Sequence, residues 1–109
     1  ASFSQDAGRR LENMVYLELL RRGGEINYYA ERGSECDFVV SHKNKVDTAI
    51  QVCLEVDDEN RSREVKGLLS AMSAFDLQQG IILTENQTDT LIEDGRQIDI
   101  TPVWQWCRR

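Results

Sequence analysis

Two short stretches carry the residues of strongest chemical character: Glu35-Cys36-Asp37-Phe38-Val39-Val40 and Ile50-Gln51-Val52-Cys53-Leu54-Glu55-Val56. Both alternate like half-buried strands. In the second, Ile50, Val52, Leu54 and Val56 share one face and Gln51, Cys53 and Glu55 the other. In the first, Cys36, Phe38 and Val40 lie on one side, with Glu35, Asp37 and Val39 opposite. A polar loop containing Lys43, Asn44 and Lys45 separates the runs, which suits neighbouring antiparallel strands with Asp37 and Gln51 side by side. An acid beside a short polar row on adjacent strands is a frame for a divalent cation. Glu12 is a further candidate. Val15, Tyr16 and Leu19 follow it at helical spacing, so its carboxylate shares an apolar flank, where it is costly unless paired or bound to a cation. Pairing with Arg9 or escape to solvent is the plainer alternative.

These residues need elements to hold them. Residues 5–22 read as a first helix, with Leu11, Met14, Val15, Leu17, Leu19 and Leu20 covering much of its circumference, so it should be largely buried. Gly23-Gly24 ends it. Residues 26–30 form a short first strand, Arg32-Gly33-Ser34 a turn, and the two organising strands follow. Asp57-Asp58-Glu59-Asn60 offers capping acids to a second helix over 61–77, striped by Val65, Leu68, Leu69, Met72 and Phe75. Ile81-Ile82-Leu83-Thr84 reads as an interior strand, parallel to the Gln51 strand through a right-handed crossover. Asp94-Gly95 marks a hairpin. Thr101-Pro102 reads as a hydroxyl cap and first helical position, and Trp104 and Trp106 form a closing hydrophobic clasp. The order is helix, three strands, helix, strand, hairpin and short helix: an α/β domain with a mixed sheet flanked by helices.

The 109 residues suit one domain, 1–109. A net charge of -6 argues against wrapping DNA unaided, since phosphate binding is dominated by basic contacts. Cys36, Cys53 and Cys107 are odd in number and lack CxxC spacing, which disfavours a disulfide framework or a zinc site and suits reduced thiols in the cytoplasm. No apolar run is long enough to cross a membrane, and no signal peptide is visible. The lone His42 reads as an exposed turn residue. There is no GxxxxGK[ST], so this chain is not itself an ATPase motor. It begins at Ala1, which leads us to expect a domain excised from a larger protein.

The element order resembles the core of the PD-(D/E)XK nuclease superfamily, the restriction endonuclease-like fold. That resemblance implies a Glu on the first helix, an Asp at the start of the second strand and a Glu/Asp-x-Lys on the third. Glu12, Asp37 and Gln51-Val52-Cys53 stand in the matching places. More narrowly, the chain looks like the C-terminal domain of unknown function of many prokaryotic AAA+ family ATPases. The likeness is carried by Gly8 to Leu19, Glu35 to Val40, Ile50 to Cys53, Arg63-Glu64 and Pro102-Val103-Trp104. It implies the ATPase domain of the same polypeptide as a partner.

The departures point to function. Gln51 replaces the second carboxylate with a neutral, weaker ligand. Cys53 replaces the lysine, and a thiol cannot stabilise developing phosphate charge. The expectation is a non-catalytic module for nucleic-acid or partner binding or regulation, with no cofactor. The alternative is a Mg-dependent DNA endonuclease with a migrated site, in which Glu12, Asp37 and Glu55 hold the metal and Arg63 or Lys66 supplies the positive charge. It requires the three acids to converge within about 4–6 Å. A packing or oligomerising role would show as an apolar patch around Trp104 and Trp106.

Overall fold

A computed structural model describes residues 2–109, with side chains from residue 5 onward. Helix α1 (Ser2–Arg22) leads into strands β1 (Glu25–Glu31), β2 (Ser34–His42) and β3 (Lys45–Val52). Helix α2 (Arg61–Ala74), strands β4 (Gln79–Thr84), β5 (Asp89–Glu93) and β6 (Arg96–Pro102), and the short α3 (Val103–Trp106) follow. The strands form one six-stranded sheet in the order β1-β2-β3-β4-β6-β5. Strands β3 and β4 run parallel, as do β4 and β6, while the other pairs are antiparallel. The expected parallel pairing of these strands across α2 is present: Gln51 lies opposite Ile82. The three hairpin turns, at Arg32-Gly33, Lys43-Asn44 and Asp94-Gly95, all have positive φ at both residues, the turn geometry that matches strand twist.

The sheet separates two apolar layers. On one face Val65, Leu68, Ala71 and Met72 of α2 pack on Cys36, Val39, Ala49, Ile82, Ile98 and Ile100. On the other, Leu11, Val15 and Leu19 of α1 join Val103 and Trp106 over Phe38, Val40, Ile50, Val52, Ile81 and Leu83. Arg22 fastens this second layer at its edge. Its Nη2 donates to the Trp106 carbonyl at 2.7 Å, and its guanidinium lies 4.2 Å from the centre of the Trp106 ring.

Five expectations need correction. Helix α1 is not largely buried: among its described side chains Leu11, Val15 and Leu19 are buried, while Met14, Leu17 and Leu20 are half exposed. Strand β2 does not alternate cleanly. Between Tyr29 opposite Cys36 and Asn27 opposite Val39 it carries one extra residue, so Cys36 and Val39 face α2 while Phe38 and Val40 face α1. This is a β-bulge at Asp37-Phe38. Strand β3 begins at Lys45 and stops at Val52. Beyond it Leu54 and Val56 go to opposite layers, because the Val56 backbone is paired with the Gln87 side-chain amide rather than a strand. Thr101 is buried in β6, and Pro102 precedes α3 with no side-chain cap. The tryptophans divide: Trp106 is buried, whereas Trp104 is half exposed with its indole N–H on Asn86.

Candidate functional site

The bulge opens a fork between β2 and β3. Their ladder ends at Phe38 opposite Ile50, and past that pair two side chains replace the missing backbone bonds. The Asp37 carboxylate reaches across, and its Oδ2 accepts the Val52 N–H at 2.8 Å. In return Gln51 Oε1 accepts the Asp37 N–H at 2.8 Å. The Gln51 Nε2 donates to the carbonyls of Glu35, at 2.7 Å, and Glu64, at 3.1 Å. One buried amide thus joins β2, β3 and the first turn of α2. An amide suits this position because it donates and accepts at once.

Helix α2 comes this close because residue 67 is glycine. A Cβ there would land on the Glu35 carbonyl oxygen and 2.6 Å from Gln51 Nε2.

The fork is acidic. Burial pushes the Asp37 carboxyl up, and the nearby charges of Glu12, Glu64 and Glu35 push it further, so it titrates at about 6 although it accepts the Val52 N–H. Burial also raises Glu64, with Glu12 adding to the shift and Arg63 opposing it. The Cys53 thiol is pushed up to about 12, first by burial and then by Glu64 and Asp37. It is a neutral thiol, without the thiolate that nucleophilic chemistry requires.

Of the residues singled out from sequence, Asp37 and Gln51 are in direct contact. Glu12 and Cys53 lie close enough for charge to be felt. Glu12 is exposed on α1, beside Arg9, Asn13, Tyr16 and Phe38. Glu55 is elsewhere: it lies beyond the end of β3, around a cleft with Leu54, Glu85, Asn86 and Gln87. Lys66 sits in a broad groove along α2 with Arg61, Ser62 and Ser73. Arg63 stays near the acids, 3.3 Å from Glu64, but its side chain is largely exposed. His42 is exposed and bonded to Asp47.

A divalent cation of the kind the nuclease resemblance implies needs several convergent oxygen ligands. These residues do not fit one. Both Gln51 Nε2 bonds and its Oε1 are engaged by the backbone, Cys53 contributes a neutral thiol, and among the described residues no three His, Cys, Asp or Glu side chains are placed to hold a metal. The arrangement is suited to clamping two strands and a helix together.

Residues 7–106 match the family model described as a domain of unknown function, DUF4143. This chain belongs to the DUF4143 family. The DUF4143 domain is also 37% identical to the uncharacterized protein MJ1544 of Methanocaldococcus jannaschii, over 96% of the present chain and 26% of that relative. The chain therefore spans about a quarter of the relative it matches. No solved structure matches it.

Two residues central to the DUF4143 fork were not read as such from sequence. Glu64 precedes Leu68 by one helical turn, so its place on the buried flank of α2 follows from spacing. Gly67 interrupts a helical pattern at a cost of about 1 kcal/mol relative to alanine, which signals a close approach.

Proposed function

We propose that this DUF4143 domain is a non-catalytic module, built on a restriction endonuclease-like scaffold and carried by a larger AAA+ ATPase as an appendage for partner or nucleic-acid binding or for regulation. The observation that supports this most directly is the Gln51 amide. It stands where a nuclease would present a metal-binding carboxylate, and its hydrogen bonds hold the Asp37 N–H and the Glu35 and Glu64 carbonyls. The helix, three-strand, helix, strand order and the parallel β3, β4 and β6 are consistent with that scaffold. The net charge of -6 and the acids around Asp37 make this face a poor seat for phosphate.

The test is a calorimetric titration with Mn²⁺, run on the natural protein and on Asp37→Ala, with plasmid nicking followed in parallel. The expected result is no stoichiometric binding and no nicking by either protein. Stoichiometric binding and nicking that both disappear in Asp37→Ala would replace this reading with the alternative, a Mg-dependent endonuclease with a migrated site.

A further inference from the structure

Helix α1 is apolar on more sides than this domain covers. Leu11, Val15 and Leu19 face the sheet and are buried. Met14, Leu17 and Leu20 follow one another at three-residue spacing on the outer side, and they are 52%, 54% and 51% exposed. Among exposed polar residues such as Arg9, Asn13 and Arg21, this ridge is a second apolar stripe, more than a helix packed on one face requires. The outward face of α2 shows the contrast, for Ser62, Arg63, Lys66 and Ser73 are exposed there. Charge borders the α1 ridge. Arg10 precedes Met14 by one turn and makes no ion pair among the described residues, while Arg21, beside Leu20, is bonded to Glu18.

Three half-exposed side chains offer a few hundred Å² at most. A stable interface between free partners needs roughly 800 Å² from each, so the ridge is too small to hold a second copy. A contact within one polypeptide needs far less, because a short linker holds the two surfaces at an effective concentration of the order of mM. The Methanocaldococcus jannaschii relative has such further chain, since the match covers 26% of its length.

We propose that the ridge Met14, Leu17 and Leu20 is the docking face for another part of a longer polypeptide that carries this domain. Its contacting surface is an apolar groove with an acidic rim placed to meet Arg10. The proposal rests on reading the domain as an appendage of a larger protein, and it is independent of whether the Asp37 fork binds metal.

The two methionines allow a direct test. Met14 is half exposed and Met72 is fully buried, so oxidation by dilute hydrogen peroxide, read by mass spectrometry, reports the ridge and the fold separately. In the 109-residue chain, which fills both layers of its core with its own side chains, Met14 should oxidise rapidly and Met72 slowly. In the full-length polypeptide Met14 should slow at least about tenfold, and Leu17→Lys should restore its rate while Met72 stays protected. Equal Met14 rates in the two proteins would overturn the proposal. So would protection in the 109-residue chain that grows with its concentration, which would place a second copy on the ridge, or full-length protection that Leu17→Lys leaves intact. If Leu17→Lys exposes Met72, Leu20→Lys replaces it and is read by the same criteria. The assay contains no metal or nucleic acid, so its failure and a positive Mn²⁺ titration are separate results.

Discussion

The two helices cover the same sheet by different means. Helix α2 is held by apolar packing and by polar bonds, its Glu64 carbonyl accepting from Gln51 and its Gly67 lying against the β2 backbone. Helix α1 is held by an apolar seam and by edge contacts, chiefly Arg22 on Trp106 and Tyr16 stacked on Phe38. Polar bonds fix position to a fraction of an ångström, whereas apolar packing is less directional. Substitutions on the α2 side should therefore be costly and specific, and those on the outer side of α1 nearly silent.

The largest expected effect is Gly67→Ala. The added methyl meets backbone oxygen, so the helix must shift, and a loss of about 3 kcal/mol in urea unfolding is expected. An effect under about 1 kcal/mol would mean that α2 is not closely seated. Next is Gln51→Leu, which leaves the Asp37 N–H and the Glu35 carbonyl without partners and should cost about 2–3 kcal/mol. Gln51→Glu, which restores the nuclease-like acid, should also destabilise, because its carboxylate would confront two carbonyl oxygens. Its loss should shrink as the pH falls and the new carboxyl takes up a proton. Stability independent of pH in Gln51→Glu would argue against the clamp.

Asp37 gives a smaller and sign-specific effect. Its carboxyl is raised from an ordinary 3.8 to about 6, so between those values the folded protein holds a proton that the unfolded chain has released. Its contribution is then fully favourable below the lower value and declines as pH rises through the higher one. Asp37→Asn keeps an acceptor for the Val52 N–H without the charge, and should stabilise by about 1–2 kcal/mol near pH 8 while flattening this part of the pH profile. Asp37→Ala removes the acceptor and should destabilise by about 1–3 kcal/mol at acid pH, where the charge is already absent. Smallest is Leu17→Lys in the 109-residue chain, expected within about 0.5 kcal/mol of the parent because the side chain is exposed.

Local patterns carried much of this fold. Both principal helices, the parallel crossover and the Asp94-Gly95 hairpin follow from helical spacing, apolar runs and turn residues. The bulge at Asp37-Phe38 does not, because alternation reports which side a residue takes only when no extra residue is inserted. The β3 boundaries were hidden for a related reason: Lys45 to Thr48 is largely polar, whereas Leu54 and Val56 continue an apolar rhythm after the strand has ended. In the fork, Asp37 and Gln51 were visible as neighbours. The backbone bonds that occupy Gln51 depend on a helix arriving from elsewhere in the chain, so no local pattern contains them. For α1 the apolar circumference suggests a helix largely buried, but only its Leu11, Val15 and Leu19 stripe meets the sheet, and a helix pattern does not specify how many of its apolar sides find cover.

Arg22 has one further consequence. By stacking on Trp106 and bonding its carbonyl, it couples the last turn of α1 to α3, two segments far apart in sequence. The two should open as a single cooperative unit, so that amide exchange in α3 follows that of the end of α1 instead of the β5–β6 hairpin that precedes it.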